Sequence, residues 1–208
     1  MKISDEPKWA KGLSKPPAWR SDGTETLFDS PWMTLTRHPA TAPTGHAADY
    51  AVVRFKNVGT GVLPVHDDGT VTLVGQQRFA LGNYSWEMPE GGAPLDEDPF
   101  DGVRRELVEE AGLEADHWLP ALTVEMSNSI TDEIGMTWIA WGLSPAAVAP
   151  DPTEIIAVVR VSFLDLLDEI GRGTVRDSLT VATAYKAYHM AMNGELPPAL
   201  AQAMLGRV

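Results

Sequence analysis

The chain has 208 residues, and 16 lysines and arginines against 29 aspartates and glutamates give it a net charge of −13. Because this average field repels phosphate backbones, the composition argues against nucleic-acid binding. Without cysteine there is neither a disulfide nor a thiolate metal site, which fits a cytoplasmic protein. The sequence also shows no signal peptide and no run of about 20 apolar residues, so we predict no membrane association.

The length favours one domain with an extension. Residues 1–24 mix lysines with proline and glycine and predict a flexible arm. Residues 24–28 and 32–37 predict two short strands on either side of a turn, and residues 38–48 predict a loop. We therefore divide the chain into an N-terminal arm with short strands, residues 1–48, and a main domain, residues 49–208.

The main domain alternates strand patterns with a few helices. Asp98 is the predicted N-cap of a central helix, Pro99 suits its first turn and Gly112 ends it. Strands are predicted at 50–55, 61–65, 70–76, 84–88, 118–126, 135–143 and 155–161, and further helices at 163–170, 180–192 and 198–204. This order predicts a mixed α/β sandwich.

The central helix carries an unusual number of acidic residues. Glu106 and Glu110 are four residues apart and share one face, with Glu109 at its edge. Like charges at this spacing cost a helix a few tenths of a kcal/mol each, so a compensating partner is expected. The simplest alternative is a solvated acidic face that Arg104 and Arg105 partly neutralise.

The glycines before the helix favour a site over a solvated face. Gly91 and Gly92 predict a tight loop that brings backbone carbonyls and Glu97 over the acidic face. Backbone carbonyls and carboxylates together form an oxygen-only ligand set, which suits Mg²⁺ or Mn²⁺.

Residues 91–113 resemble the Nudix box. The pattern is G, five residues, E, seven residues, R-E, an aliphatic, any residue, E-E, any residue, G and an aliphatic. The positions that meet it are Gly91, Glu97, Arg105, Glu106, Leu107, Glu109, Glu110, Gly112 and Leu113. The resemblance implies a Nudix-type α/β/α sandwich of mixed sheets with an N-terminal β extension. It also implies hydrolysis of a nucleoside diphosphate linked to another moiety, X.

The resemblance further implies roles for the charged residues of the box and for Glu90 just before it. The metal ligands would be Glu106, Glu110, an assisting Glu109 and the backbone carbonyl of Glu90. Arg105 would pair with a carboxylate such as Glu97 and brace the loop against the helix. The alternative for Arg105 is an ordinary surface ion pair.

The flanks of the box are similar to the ADP-ribose and nucleoside-diphosphate-sugar pyrophosphatases. The similar stretches are QQR at 76–78, WEMPEG at 86–91 and SNSITDE at 127–133. Glu90 stands in place of the usual alanine, and Asn128-Ser129 in place of the usual Pro-Gly, which leaves the substrate open.

The same resemblance suggests substrate and base residues. Arg78 is a candidate for a phosphate or a terminal ribose, Glu87 for the metal site or the substrate, and Trp32 for stacking on the base. The candidate bases are Glu154 and Glu133, with Asp132 as a weaker substitute. The alternatives are a surface arginine, a structural glutamate, a core tryptophan and plain polar loop residues.

We therefore predict a Mg²⁺-dependent Nudix hydrolase that acts on a nucleoside diphosphate-linked small molecule. ADP-ribose would give AMP and ribose 5-phosphate, and NADH, GDP-mannose and other sugar nucleotides are alternatives within the class. A non-catalytic Nudix domain that senses a nucleotide is the rival from another class. An acidic interaction module would not explain the glycine–carboxylate spacing. The N-terminal strands and the family branch predict a homodimer.

Overall fold

The computed structural model describes residues 7–147 and 155–207, which form two compact units that divide between Arg54 and Phe55. The N-terminal unit contains a short 3₁₀ helix, Lys8–Ala10, and strands β1 (Arg20–Ser21), β2 (Glu25–Asp29), β3 (Met33–Thr41) and β4 (Ala47–Phe55). Strand β3 pairs with each of the other three. The assignment of residues 1–48 and 49–208 to an arm and a domain stays a prediction, and β4 runs across that boundary.

The two predicted N-terminal strands are present as an antiparallel pair, with Thr26 opposite Thr36. The predicted loop over residues 38–48 is too long, because β3 continues through Pro39 to Thr41 and β4 already begins at Ala47. The turn occupies only residues 42–46, where Ala42 N–H donates to the His46 carbonyl at 2.8 Å. Gly45 allows this tight turn through its positive φ of 88°.

The main unit begins at Phe55, and its described residues form two sheets and four helices. Its strands are β5 (Asn57–Pro64), β6 (Thr70–Arg78), β7 (Asn83–Glu87), β8 (Glu90–Pro94), β9 (Leu113–Glu125), β10 (Ile134–Pro145) and β11 (Ala157–Ser162). Its helices are α1 (Pro99–Ala111), α2 (Phe163–Arg172), α3 (Ser178–Met192) and α4 (Pro198–Met204). Within the described residues no helix is both long and apolar enough to cross a bilayer.

Mixed strand directions characterise the larger sheet, in the order β8-β5-β10-β9. Strands β5 and β10 are parallel, whereas β8 and β9 are antiparallel to their neighbours. The second sheet, β11-β6-β7, is antiparallel throughout. The predicted mixed α/β sandwich is confirmed.

Helices cover both faces of the larger sheet. Adjacent strand residues point to opposite sides, and on both sides they are apolar and need to be buried. Val62 and Trp138 lie with Val103 and Leu107 of α1 in one buried cluster. Their chain neighbours, Leu63 and Ile139, lie in the other cluster with residues of α2, α3 and α4. Helix α1 therefore packs on one face of the larger sheet, and α2, α3 and α4 pack on the other.

Gly69, in the connection between β5 and β6, packs closely against α4. Gly69 has a φ of +79°, and a Cβ there would lie 2.2 Å from the Ala203 carbonyl carbon and 2.5 Å from Met204 N. We expect Gly69→Ala to lower the free energy of unfolding by about 3 kcal/mol, since a left-handed backbone and an overpacked contact each cost roughly 1–2 kcal/mol. Urea denaturation measures the change.

Gly194→Ala is the matched control, because Gly194 has a similar φ of +72° with no atom within 4 Å of the added carbon. Its free energy of unfolding should fall only by the cost of placing alanine in a left-handed backbone conformation. Equal losses in the two variants would contradict the steric argument.

Candidate active site

Helix α1 begins and ends where its sequence predicts. Asp98 caps it, accepting a hydrogen bond from Phe100 N–H at 3.0 Å, and Pro99 follows in the first turn. At the other end Gly112 takes the left-handed conformation, with a φ of 63°. Val103 and Leu107 are buried on the sheet side. With this face buried, Glu106 and Glu110 lie against strand β8.

Glu110 is the most firmly held of these glutamates. Its side chain is buried, and Oε2 accepts a hydrogen bond from Glu90 N–H at 2.8 Å. Oε1 faces the amide Nε2 of buried Gln76 at 3.4 Å. Each oxygen of this carboxylate therefore has a donor, which fixes its orientation beside Glu90.

The predicted tight loop at Gly91-Gly92 is wrong, because both residues lie in β8 and pair with β5. Neither has a positive φ. Instead Gly91 leaves room for a side chain: a Cβ there would lie 2.2 Å from Cδ of Glu106 and 2.3 Å from its Oε1. The glycine therefore allows a carboxylate of the helix to lie directly against the strand.

Arg105 is hydrogen-bonded to the motif from several sides. Its Nη1 donates to Glu106 Oε1 at 2.8 Å and to Glu109 Oε2 at 3.2 Å, while Nη2 donates to the Gly92 carbonyl at 3.3 Å. The pair with Glu97 that the sequence suggested is present at 3.6 Å, although Glu106 is nearer. Burial would lower the pKa of Arg105, but these carboxylates outweigh it and raise the pKa.

Arg78 is held by carboxylates. Its Nε lies 3.0 Å from both oxygens of Glu87, its Nη2 also donates to Glu87 Oε2, and Nη2 lies 3.2 Å from Glu90 Oε1. Burial acts to lower the pKa of Arg78, and the hydrogen bonds and charge of Glu87 overcome it to raise the pKa. The Glu87 side chain is only 3% exposed, and its role toward the metal site or the substrate stays a prediction. A direct contact of Arg78 with substrate stays a prediction.

A second acidic group lies beside the motif. Carboxylate oxygens of Glu87, Glu90 and Asp177 lie within 4.8 Å of one another. Among residues 7–147 and 155–207, this is the one group of three acidic side chains whose oxygens lie so close together. The three glutamates of α1 do not form such a group. The Arg105 guanidinium instead donates hydrogen bonds to both Glu106 and Glu109.

Asp177 was not a site residue in the sequence analysis. It is the N-cap of α3, where Oδ2 accepts from Thr180 N–H at 2.7 Å, and Thr180 Oγ1 accepts from Met88 N–H at 2.9 Å. These bonds fasten the start of α3 to the segment before the motif. Gln76 was also missed as a site residue. Spacing along the chain carried no signal for either contact, because both depend on how distant elements pack.

Burial and nearby negative charge disfavour the ionised form of Glu90. Burial raises the pKa of Glu90 well above its ordinary value, and the charges of Asp177 and Glu87 add to the effect against the opposing Arg78. Oε2 of Glu90 is buried without a hydrogen-bond partner. Ionised Glu90 therefore costs stability in the metal-free protein.

Because the pKa of Glu90 is raised on folding, the folded protein keeps this proton at pH values where the unfolded chain has lost it. The stability that the protonated form provides is therefore lost as pH rises through the raised pKa. We expect Glu90→Gln, measured in EDTA, to gain in Tm over the natural chain as pH goes from about 5 to about 8. Thermal melts across that range test this expectation. Parallel pH curves for the two proteins would contradict it.

A cavity of about 540 Å³ opens next to this acidic group. We call it the β6–β7 cavity; its lining includes Arg78, Phe79, Tyr84, Glu87, Arg176 and Asp177. Because Glu87 and Asp177 belong to both, the cavity and the acidic group are continuous. A volume of this size suits a small-molecule ligand.

The remaining predicted residues lie in several places. Glu133 is half-buried, and burial raises its pKa. Asp132 accepts a hydrogen bond from Phe55 N–H at 2.9 Å, which gives it a structural contact. Glu154 lies outside the described residues. Trp32, in the N-terminal unit, is 73% exposed, so the alternative of a core tryptophan is wrong.

Known proteins resemble the chain in sequence and in fold. The NUDIX domain family model matches residues 55–179. The methanol dehydrogenase activator of Bacillus methanolicus is 27% identical over 160 residues, which cover 76% of this chain and 86% of that protein. The ADP-ribose pyrophosphatase of Bacillus subtilis (strain 168) is 28% identical over 158 residues, covering 75% and 85%. A crystal structure of an ADP compounds hydrolase superposes with a TM-score of 0.78 at 17% identity, covering 88% of this chain and all of that one.

Proposed function

The chain belongs to the Nudix family, and from this premise we propose that it hydrolyses the diphosphate bond of a nucleoside diphosphate derivative with Mg²⁺ or Mn²⁺. ADP-ribose and nucleotide sugars are the proposed substrates. The products would be a nucleoside monophosphate and a sugar phosphate. The observation that carries the proposal is the complete motif on β8 and α1, with Glu110 buried and hydrogen-bonded beside Glu90.

The residues fit a hard divalent cation. The donors are all oxygens, and the absence of a Cβ at Gly91 gives the Glu106 carboxylate its place against β8. The proposed ligands are Glu106, Glu110, an assisting Glu109 and the Glu90 backbone carbonyl. Held by these residues, such an ion would offset negative charge on the diphosphate and lower the pKa of the attacking water.

The protein's own groups have two tasks in this proposal. Arg105 holds Glu106 and Glu109 at fixed positions, and Gln76 with Glu90 N–H holds Glu110. A carboxylate then accepts the proton of the attacking water. Glu154 and Glu133 remain the proposed candidates, and the raised pKa of Glu133 suits a group that takes up a proton.

Two relatives support the choice of substrate class. The Bacillus subtilis relative is named for ADP-ribose and the structural neighbour for ADP compounds. At the 28% and 17% identities found, the exact nucleotide and X moiety are part of the proposal. A homodimer and a cytoplasmic location stay predictions from the sequence.

A panel of substrates with product identification tests the function. Purified protein is incubated with Mg²⁺ and ADP-ribose, NADH, GDP-mannose or UDP-glucose, and the products are separated chromatographically. We expect AMP and ribose 5-phosphate from ADP-ribose, and no cleavage in EDTA. Binding without turnover across the panel would instead support the nucleotide-sensing alternative.

A further inference from the structure

The β6–β7 cavity contains two arginines with different surroundings. Arg78 is engaged by Glu87 and Glu90, as described above. Arg176 is exposed, and no hydrogen bond or ion pair joins its guanidinium to another residue in the described part of the chain. Arg176 is therefore the cation of this cavity that a ligand can use without breaking an existing ion pair.

The backbone around Arg176 is well anchored. Thr174 N–H donates to the Glu169 carbonyl at 3.0 Å, and the neighbouring Val175 side chain is buried. On the other side Asp177 caps α3 through Thr180 N–H. Both flanks are held in place, so the Arg176 side chain projects from a fixed point at the cavity wall.

Charge balance makes a free cation useful here. Three carboxylates, Glu87, Glu90 and Asp177, converge beside the cavity, and among the described residues Arg78 is the one basic side chain that forms ion pairs there, with Glu87 and Glu90. Within the motif, Arg105 is already paired with Glu97, Glu106 and Glu109. A diphosphate that enters this acidic region needs positive charge from a group that is still available, in addition to any metal ion.

We propose that Arg176 binds the diphosphate of the substrate, an inference that rests on the proposed hydrolysis of nucleoside diphosphate derivatives. The planar guanidinium presents two parallel N–H donors, which match the spacing of phosphate oxygens. Arg176 is thus a substrate-binding residue, whereas Arg78 already forms ion pairs with Glu87 and Glu90.

The test compares Arg176→Gln with Arg172→Gln. Arg172 is 69% exposed, pairs with Glu169 and lies outside the cavity lining, so its replacement makes the same change in net charge. We expect Arg176→Gln to raise KM for ADP-ribose roughly tenfold to a hundredfold, because charged hydrogen bonds to phosphate are lost, with much less change in kcat. Arg172→Gln should leave both constants unchanged. Arg176→Lys should fall between Arg176→Gln and the natural chain.

Different substrates then show which anionic group is bound. UDP-glucose has a neutral sugar, whereas UDP-glucuronate carries an additional carboxylate, and a diphosphate contact predicts the same relative rise in KM for both. A rise confined to UDP-glucuronate, or the same effect in Arg172→Gln, would overturn the assignment.

Calorimetric binding of ADP, with adenosine as the uncharged probe, separates this inference from the proposed function. We expect Arg176→Gln to weaken ADP binding and leave adenosine unaffected, even if no substrate of the panel is hydrolysed. Unchanged ADP affinity in a variant that still turns over ADP-ribose would overturn the role of Arg176 alone.

Discussion

Glu110→Gln should reduce kcat about a thousandfold under saturating Mg²⁺, because a bound metal ion contributes several kcal/mol to the transition state and this variant loses a charged ligand. Glutamine has nearly the same shape, so its side-chain oxygen can still accept the hydrogen bond from Glu90 N–H. The fold should therefore persist. Steady-state hydrolysis of ADP-ribose measures the loss, and circular dichroism with a thermal melt checks the fold.

Glu114→Gln is the matched control for this variant. Glu114 is an exposed acid at the start of β9, and its replacement makes the same change in net charge. In EDTA the Glu110→Gln protein should melt no lower than the natural chain, since a buried charge has been removed. Activity close to that of the natural chain in Glu110→Gln would contradict the metal-ligand role.

Gly91→Ala should abolish most of the activity while costing little stability. The added carbon would lie 2.2–2.6 Å from the carboxylate atoms of Glu106, which must move away. Because these atoms are the end of a flexible side chain, the fold can accommodate the shift. A catalytic group displaced by about 1 Å can cost roughly a hundredfold in rate, which is the loss that we expect in kcat/KM.

Gly59→Ala tests the same substitution in the neighbouring strand. The nearest atom to its added carbon, outside the adjacent residues, is 3.5 Å away, so activity and Tm should both be preserved. The double variant Gly91→Ala/Glu106→Ala should regain any lost stability without regaining activity. If Gly91→Ala kept full activity, the placement of Glu106 against β8 would be wrong.

Local signals were sufficient to predict helix α1. Its cap, first-turn proline and terminal glycine are adjacent in sequence to the residues they affect, and each acts through hydrogen bonds or backbone conformation within one turn. The strands were predicted less well at their ends. Strand β3 continued through Pro39, because pairing with neighbouring strands outweighed the local turn preference.

The glycines of the motif show where local reasoning failed. A Gly-Gly pair favours a turn in an isolated peptide, but here the pairing of β8 with β5 keeps both residues extended. The need for glycine comes from Glu106, whose carboxylate occupies the space of a side chain at position 91. No property of residues 91 and 92 alone indicates that contact.

The sequence by itself determined the family, the mixed α/β architecture and the reaction class, because the motif's residue types and spacing are local features of the chain. Only the tertiary structure decided how its charges are used. Packing of α3 brings Asp177 to Glu87 and Glu90, and the same arrangement commits Arg78 to carboxylates and leaves Arg176 at the cavity. Those choices depend on contacts between distant segments, since a charged side chain is available to a substrate only if folding has not already paired it.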